Sequence, residues 1–357
     1  MVAKKKFKKS KESQPVRQKE QVFEIGYNFP FGSFNSRFFP TLKIILPSMA
    51  LFLLAILFLM FGGDGLAKVD RVLAESKSAN LKTALLPEVA GIKVEPEIKI
   101  ISKNLTPPTL NSNAVLAQDF DSGTILYQEN IYSKLAPAST TKLMTALVAV
   151  EHFKAADKLT VPSEAMVGGS TMGLRVGEQL SFRSLLYGML LDSGNDAAYT
   201  IALNYPGGMS SFLVQMNKKS QDLGLNNTHF TNPAGFDDPK HYSSAYDLAK
   251  IAKLAALDYQ LARIVATKDT QIVSSTNPEA SSAGRTREYN LHNLNQLLSE
   301  PGVLGMKTGT TEKAGENLVG LVERNGHKAI TVMLGSKDRF NETKNLMDWV
   351  YANYLWE

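Results

Sequence analysis

The sequence predicts an α/β domain of the α+β kind, an antiparallel sheet built from both ends of the domain with a helical subdomain inserted, preceded by one N-terminal transmembrane helix. Three observations carry this. Strand-like apolar runs sit at both ends of the region after residue 113, over 114–127 and 317–334. Helix-period patterns fill the middle, so elements from the two ends must pair to close one core. An uninterrupted apolar stretch, Ile44 to Phe61, follows a basic leader.

The leader comes first. The net charge of the 357 residues is +5, yet residues 1–43 carry ten Lys/Arg against three Glu, a balance of +7, which leaves −2 for the remainder. A basic run of this kind can bind nucleic acid, or it can be the cytoplasmic flank of a membrane segment. The eighteen apolar residues that follow decide for the flank: at the helical rise they reach roughly 27 Å, enough for a bilayer core. Lys4, Lys5, Lys6, Lys8 and Lys9 predict an inside N-terminus and an extracytoplasmic domain. A cleaved signal peptide is the rival, with Gly65 and Ala67 as small residues for a cleavage site. The long region before the span favours an uncleaved anchor. The expected organisation is a cytoplasmic leader over 1–43, a cell-membrane anchor over 44–62 and a tether over 63–112, opened by Gly62-Gly63-Asp64-Gly65 and closed by Thr106-Pro107-Pro108. The compact domain would take 113–357, with its all-helical part at about 153–280.

Within that domain, Ala114–Ala117 and Thr124–Tyr127 flank Asp121-Ser122-Gly123 and read as a hairpin. A helix is expected from Ser139 to His152 with Leu143, Met144, Leu147 and Val150 on its buried face. Others are expected over Phe182–Leu191 and after Asn195. Ser244 and Asp247 resemble a capping box, with Asp in the usual Glu place, opening a helix through Leu257. Asn325-Gly326 between two apolar runs is a strong hairpin signal, because both residues tolerate positive φ. A closing helix is expected over Phe340–Trp356.

The absence of cysteine excludes disulfides, thiol catalysis and thiolate metal sites. The five histidines, His152, His229, His241, His292 and His327, show no metal-ligand spacing and no local support for a Ser-His-Asp triad. They read as surface or satisfied polar residues. Hydrophobic residues make up 44%, enough for a substantial core.

Three short motifs remain. In Ser139-Thr140-Thr141-Lys142, a helix beginning at Ser139 would put Lys142 on the same face one turn on and the serine oxygen at the positive end of the helix dipole. A serine needs a base, and a lysine can serve if burial or a second cation lowers its pKa. The alternative is an N-cap serine followed by a surface lysine. Ser193-Gly194-Asn195 falls between two apolar helical segments, where a tight loop would point both polar side chains into a cleft; an ordinary helix-joining turn has the same composition. Lys307-Thr308-Gly309 would place a cation, a hydroxyl and a close-approach glycine along an extended substrate, or it is a polar edge strand. Lys307 near Lys142 would depress the pKa of the latter.

Together, in this order, the motifs resemble those of the low-molecular-mass penicillin-binding proteins, the serine D-Ala-D-Ala carboxypeptidase family with its β-lactamase/DD-peptidase-like fold. The resemblance covers about Ala114 to Arg339. It extends to Ala136–Ala146, Leu190–Ala198, Met216-Asn217, Leu223-Gly224-Leu225, Asn232-Pro233-Ala234-Gly235 and Gly305–Thr311 with Ala314-Gly315. It implies Ser139 as nucleophile, Lys142 as base and Ser193 as proton relay. Asn195, Lys307, Thr308, Gly309 and Thr310 would bind substrate, with an oxyanion hole from the backbone N–H groups of Ser139 and Thr310. The implied substrate is a peptidoglycan stem peptide, with β-lactams as covalent inhibitors, no metal or organic cofactor, and no nucleic-acid partner.

The sequence departs from the pattern in three places. Ser-Gly-Asn in place of Ser-Asp-Asn, with no Glu-x-x-x-Asn between Asn195 and Lys307, points away from class A β-lactamases. Glu357 stands just after the last core helix, where family members often continue into a small β-domain and an amphipathic anchor. Leu294, between Asn293 and Asn295, stands where many members carry a polar or basic residue, which leaves endopeptidase action on cross-links open beside carboxypeptidase action. A β-lactamase-like hydrolase and a non-catalytic cell-wall sensor on the same fold are the remaining alternatives.

Overall fold

The computed structural model describes residues 99–274 and 286–357. The leader, the apolar stretch Ile44–Phe61 and the tether up to residue 98 lie outside the described residues. Among the described residues, no helix is long and apolar enough to cross a membrane.

The described chain opens with β1 (Ile100–Ser102) and a hairpin of β2 (Ala114–Asp119) and β3 (Ile125–Glu129). A 3-10 turn over Ala138–Thr141 leads into α1 (Lys142–Val150), and β4 (Lys158–Thr160) and β5 (Gln179–Ser181) follow. Then come α2 (Phe182–Leu190), α3 (Asn195–Leu203), α4 (Gly208–Asp222), α5 (Ala245–Leu257) and α6 (Tyr259–Val265). A hairpin of β6 (Asp269–Val273) and β7 (Glu288–His292) precedes β8 (Val303–Thr311), β9 (Gly315–Arg324) and β10 (His327–Ser336), and the chain closes with α7 (Arg339–Asn353) and β11 (Tyr354–Trp356).

The main sheet runs β3-β2-β10-β9-β8, and every neighbouring pair is antiparallel. Val115 of β2 lies opposite Met333 of β10, so the two ends of the domain are zipped into one sheet as expected. Apolar residues alternate across it with the period of a strand. Ala114, Leu116, Val319, Leu321, Ile330, Val332 and Leu334 join the large core under α1 and the inserted helices. Val115, Ala117, Leu318, Val322, Ala329 and Met333 join a second core with Leu346, Met347 and Val350 of α7. Both faces are therefore covered, and each fully buried aliphatic side chain contributes about 1.5–3 kcal/mol. Gly320 lets α7 sit close, since a Cβ there would meet Met347 Cε at 2.7 Å and Thr331 Oγ1 at 2.6 Å.

The turn chemistry matches the sequence reading. Asn325 and Gly326 both take positive φ, 52° and 81°, between β9 and β10. Ser244 caps α5 by accepting from the Asp247 amide at 3.2 Å. Asp247 does not reach back as a glutamate would: its carboxylate takes the Asn227 amide and the Thr228 hydroxyl, at 2.9 and 2.8 Å.

Three expectations change. The inserted part is not all-helical, because it carries the two-stranded pairs β4–β5 and β6–β7. The closing helix stops at Asn353, where Tyr354 turns to φ −106°, ψ 145°. Tyr354–Trp356 then pair antiparallel with Ile100–Ser102, so the compact domain begins inside the stretch read as tether. The reason is local aromatic packing: Trp356 stacks on His327 with centroids 5.1 Å apart and donates from Nε1 to Asp119 at 2.9 Å, which an extended backbone allows.

Candidate active site

The site lies where the 3-10 turn, the β8 edge and the Ser193 loop converge. The turn is strained at its start: Ala138 holds φ +48°, a left-handed conformation that costs an alanine about 1–2 kcal/mol. It persists because neighbours grip it on several sides. Asn317 of β9 donates to Ala136 O at 3.0 Å, and Thr140 Oγ1 donates to Pro137 O at 2.7 Å. Gly309 and Gly235 press against it from opposite strands of chain, since a Cβ on either would lie within 3 Å of Ser139 N. The helix expected to begin at Ser139 begins at Lys142, and the tighter turn before it carries Ser139, half-buried and reachable.

Lys142 is fully buried, yet its amine is saturated with oxygen. Nζ lies 2.8 Å from Ser139 Oγ, 2.8 Å from Asn195 Oδ1 and 2.7 Å from Ala234 O. Burial above all, and then the charge of Lys307, hold its pKa well below that of an ordinary lysine, while Asp196 works weakly the other way. A neutral amine has two hydrogens and one lone pair. Ala234 O can only accept, and Asn195 Oδ1 faces the amine because Nδ2 of the same amide donates to Gly168 O at 2.8 Å. Once the amine is neutral, these two acceptors would take both hydrogens and leave the lone pair for the Ser139 hydroxyl proton.

The Ser193 loop is equally constrained. Ser193 is buried and sits at φ +60°, and at Gly194 a Cβ would meet Gly188 O at 3.1 Å. Left-handed non-glycine residues at Ala138 and Ser193 mark the two motifs as over-determined backbone. Asp196 then gathers the amides of Met172, Gly173, Leu174 and Ala197 at 2.9–3.0 Å, so one carboxylate in the first turn of α3 holds the 172–174 segment against it.

The third side is β8. Lys307 and Thr308 are buried on it, and Lys307 Nζ donates to Thr308 O at 3.1 Å. Burial first, and then the Arg339 guanidinium, lower the Lys307 pKa to about 7, against a raising effect from Asp192. Arg339, at the start of α7, donates to Gly309 O at 3.0 Å and to the Thr310 hydroxyl, and its buried Nε has no partner among the described residues.

Of the eight residues singled out in the sequence, Ser139, Lys142 and Asn195 are in direct contact, Gly309 packs on the Ser139 turn, and the charge of Lys307 acts on Lys142. Sequence reading gave no role to Ala234, whose contribution is a backbone carbonyl; Asn232-Pro233-Ala234-Gly235 entered only as part of the family resemblance. It also missed Arg339, which no local pattern connects to residues 309–310. Leu294 is 41% exposed, and its amide donates to Leu191 O at 3.3 Å, beside Asp192 and Ser193.

The chain is similar in sequence and fold to known proteins. The family model described as D-alanyl-D-alanine carboxypeptidase, peptidase S11, matches residues 101–338. The chain belongs to that family. D-alanyl-D-alanine carboxypeptidase DacF of Bacillus subtilis is 34% identical over 244 residues, 66% of this chain and 60% of its own length. DacC of Escherichia coli is 34% identical over 264 residues, 68% of this chain and 62% of its own. The chain thus spans about three fifths of the length of these curated relatives. Among solved structures of similar fold, the Streptomyces K15 DD-transpeptidase superposes with a TM-score of 0.66 at 32% identity, covering 70% of this chain and 100% of that one.

Proposed function

We propose that the protein is a serine-type D-Ala-D-Ala carboxypeptidase that removes the terminal D-alanine from peptidoglycan stem peptides through an acyl-enzyme on Ser139. The observation that carries this reading is the Lys142 amine, buried, depressed in pKa and 2.8 Å from the Ser139 hydroxyl. It takes the Ser139 proton as Oγ attacks the carbonyl between the two D-alanines. The backbone N–H groups of Ser139 and Thr310 hold the oxyanion, preorganised by the strained turn and the end of β8. Ser193 passes a proton to the leaving amine, and Asn195 holds Lys142 and meets the substrate amide. Lys307, Thr308 and Arg339 bind the terminal carboxylate, with Gly309 allowing the peptide to lie along β8. Arg339 supplies a cation that Leu294 lacks. Water then attacks the ester and releases the shortened peptide. β-Lactams would stop at the ester.

The same reading gives the protein its place. Residues 44–62 would anchor it in the cell membrane, residues 1–43 would stay cytoplasmic, and the catalytic domain would follow the tether outside, where its substrate is. Digestion of a defined muropeptide pentapeptide should release one D-alanine per chain and leave a tetrapeptide. Adding glycine as an amine acceptor separates hydrolysis from transfer, and a cross-linked dimer tests endopeptidase action. A labelled penicillin adduct absent from the wild type, or one that survives Ser139→Ala, would sink the proposal.

A further inference from the structure

Two of the three oxygens around Lys142 Nζ have evident means of support: Ser139 is one turn back along the chain, and Asn195 is clamped by Gly168. The third, Ala234 O, comes from a loop far along the sequence, and how it is held has not been assigned. Asn232 shapes the loop: its Oδ1 accepts from the amides of Ala234, Gly235 and Phe236 at 3.2, 2.7 and 2.9 Å, and its Nδ2 donates to Phe236 O at 3.1 Å. Gly235, at φ +94°, lies so close that a Cβ would fall 1.8 Å from Ala138 O. Pro233 O accepts from Thr145 Oγ1 of α1 at 2.7 Å.

His241 ties the start of this loop to the nucleophile segment. The ring is 3% exposed. Its Nδ1 accepts from the Thr231 amide at 3.0 Å, and because an amide nitrogen can only donate, the proton must sit on Nε2. Nε2 then donates to Thr141 Oγ1 at 2.8 Å. One ring joins the residue before Asn232 to the residue before Lys142, which needs an acceptor and a donor on opposite edges of one side chain.

We propose that His241 is a positioning residue: with Asn232 it braces the 231–236 loop against the Ser139 turn, so that Ala234 O keeps one Lys142 hydrogen occupied and the lone pair aimed at Ser139. Without that carbonyl in place, the spare hydrogen can turn to Ser139 Oγ and reverse the hydrogen bond on which deprotonation depends. The inference rests on the Ser139–Lys142 reading above. It touches the acylation step and not substrate binding.

The test uses the full chain in detergent, with a fluorescent penicillin titrated to saturation so that the acylation rate constant and the half-saturating concentration are read separately. His241→Ala should lower the rate constant about 10- to 100-fold, the scale of a misplaced reacting group, and move half-saturation less than about twofold. His241→Gln, which can accept from Thr231 and donate to Thr141, should return the rate constant to within about threefold of wild type. Melting temperatures are read on the same samples. A rate constant for His241→Ala within twofold of wild type overturns the brace. So do Ala and Gln variants that lose rate equally and in proportion to lost stability. If His241→Ala does not fold, Thr141→Val, which removes only the hydroxyl partner, decides: an unchanged rate constant overturns the proposal, and a loss like that expected for Ala supports it. Wild-type protein that forms no adduct takes down the Ser139 reading and this one together; normal wild-type acylation with indifferent variants removes the brace alone.

Discussion

Gly309 is the position at which the packing of the site can be tested with a single carbon atom. An ideal Cβ there would lie 2.8 Å from Ser139 N, 3.0 Å from Ala138 Cβ and 3.1 Å from Thr140 N. Two of these are backbone atoms in a turn already strained at Ala138, so they cannot swing aside as a flexible side chain could. To reach the 3.4 Å of ordinary contact, β8 and the turn must part by 0.6 Å. That displacement falls between the N–H groups of Ser139 and Thr310 assigned to the oxyanion hole, where donors must lie within about 3 Å of the developing charge. Gly309→Ala should therefore lower the acylation rate constant about 10- to 100-fold. The overpacking should cost about 1–3 kcal/mol of stability. Stopped-flow acylation with a fluorescent penicillin, beside urea unfolding, measures both. A variant that acylates within twofold of wild type at unchanged stability would show that β8 does not press on the nucleophile turn, and the oxyanion assignment would lose its geometric basis.

Other consequences follow from the charges and from the chain ends. Lys307, with its pKa lowered to about 7, loses its charge as pH rises through that value, so kcat/KM for D-alanine release should fall on an alkaline limb near pH 7. Lys307→Arg cannot deprotonate in this range and should move the limb above about pH 9; an unmoved limb assigns it to another group. His241 is held neutral by burial, its pKa lowered from 6.5 to about 4. Between those values the unfolded chain binds a proton that the fold excludes, so stability should be full above pH 6.5 and drop by roughly 3 kcal/mol as pH falls to 4, then level off. Urea unfolding of wild type against His241→Gln across that range isolates the step, and equal pH dependence would refute it. Deleting Tyr354–Glu357 removes β11 and the Trp356 contacts; it should cost about 2–4 kcal/mol by thermal melting while leaving acylation within twofold of wild type, because β1 and β11 pair away from the Ser139 turn.

Much of the architecture was legible in the chain. The short apolar runs of β2, β9 and β10 declare strands, Asn325-Gly326 declares a hairpin, and Ser244 declares the start of α5, because each signal depends on residues within a few positions of one another. The three motifs were legible as types and in order. Local pattern could not say that Lys142 would be buried, that the Asn195 amide would be fixed by Gly168, or that Ala234 would offer a carbonyl, since any residue has that carbonyl and only the loop aims it. Arg339 and His241 carried no signal at all: one reaches β8 from the start of α7, and the other meets Thr141 from a segment one hundred residues on. The aromatic end at Tyr354–Trp356 was misread as helix because its partners, Ile100–Ser102, Asp119 and His327, are distant in sequence. Returning to Ser139, the residues around it name a serine and a lysine one turn apart. What would make that pair a nucleophile and a base, on the reading proposed above, is a desolvated amine held among three oxygens, and such an arrangement exists only once β8, the Ser193 loop and the 231–236 loop have closed on the same turn.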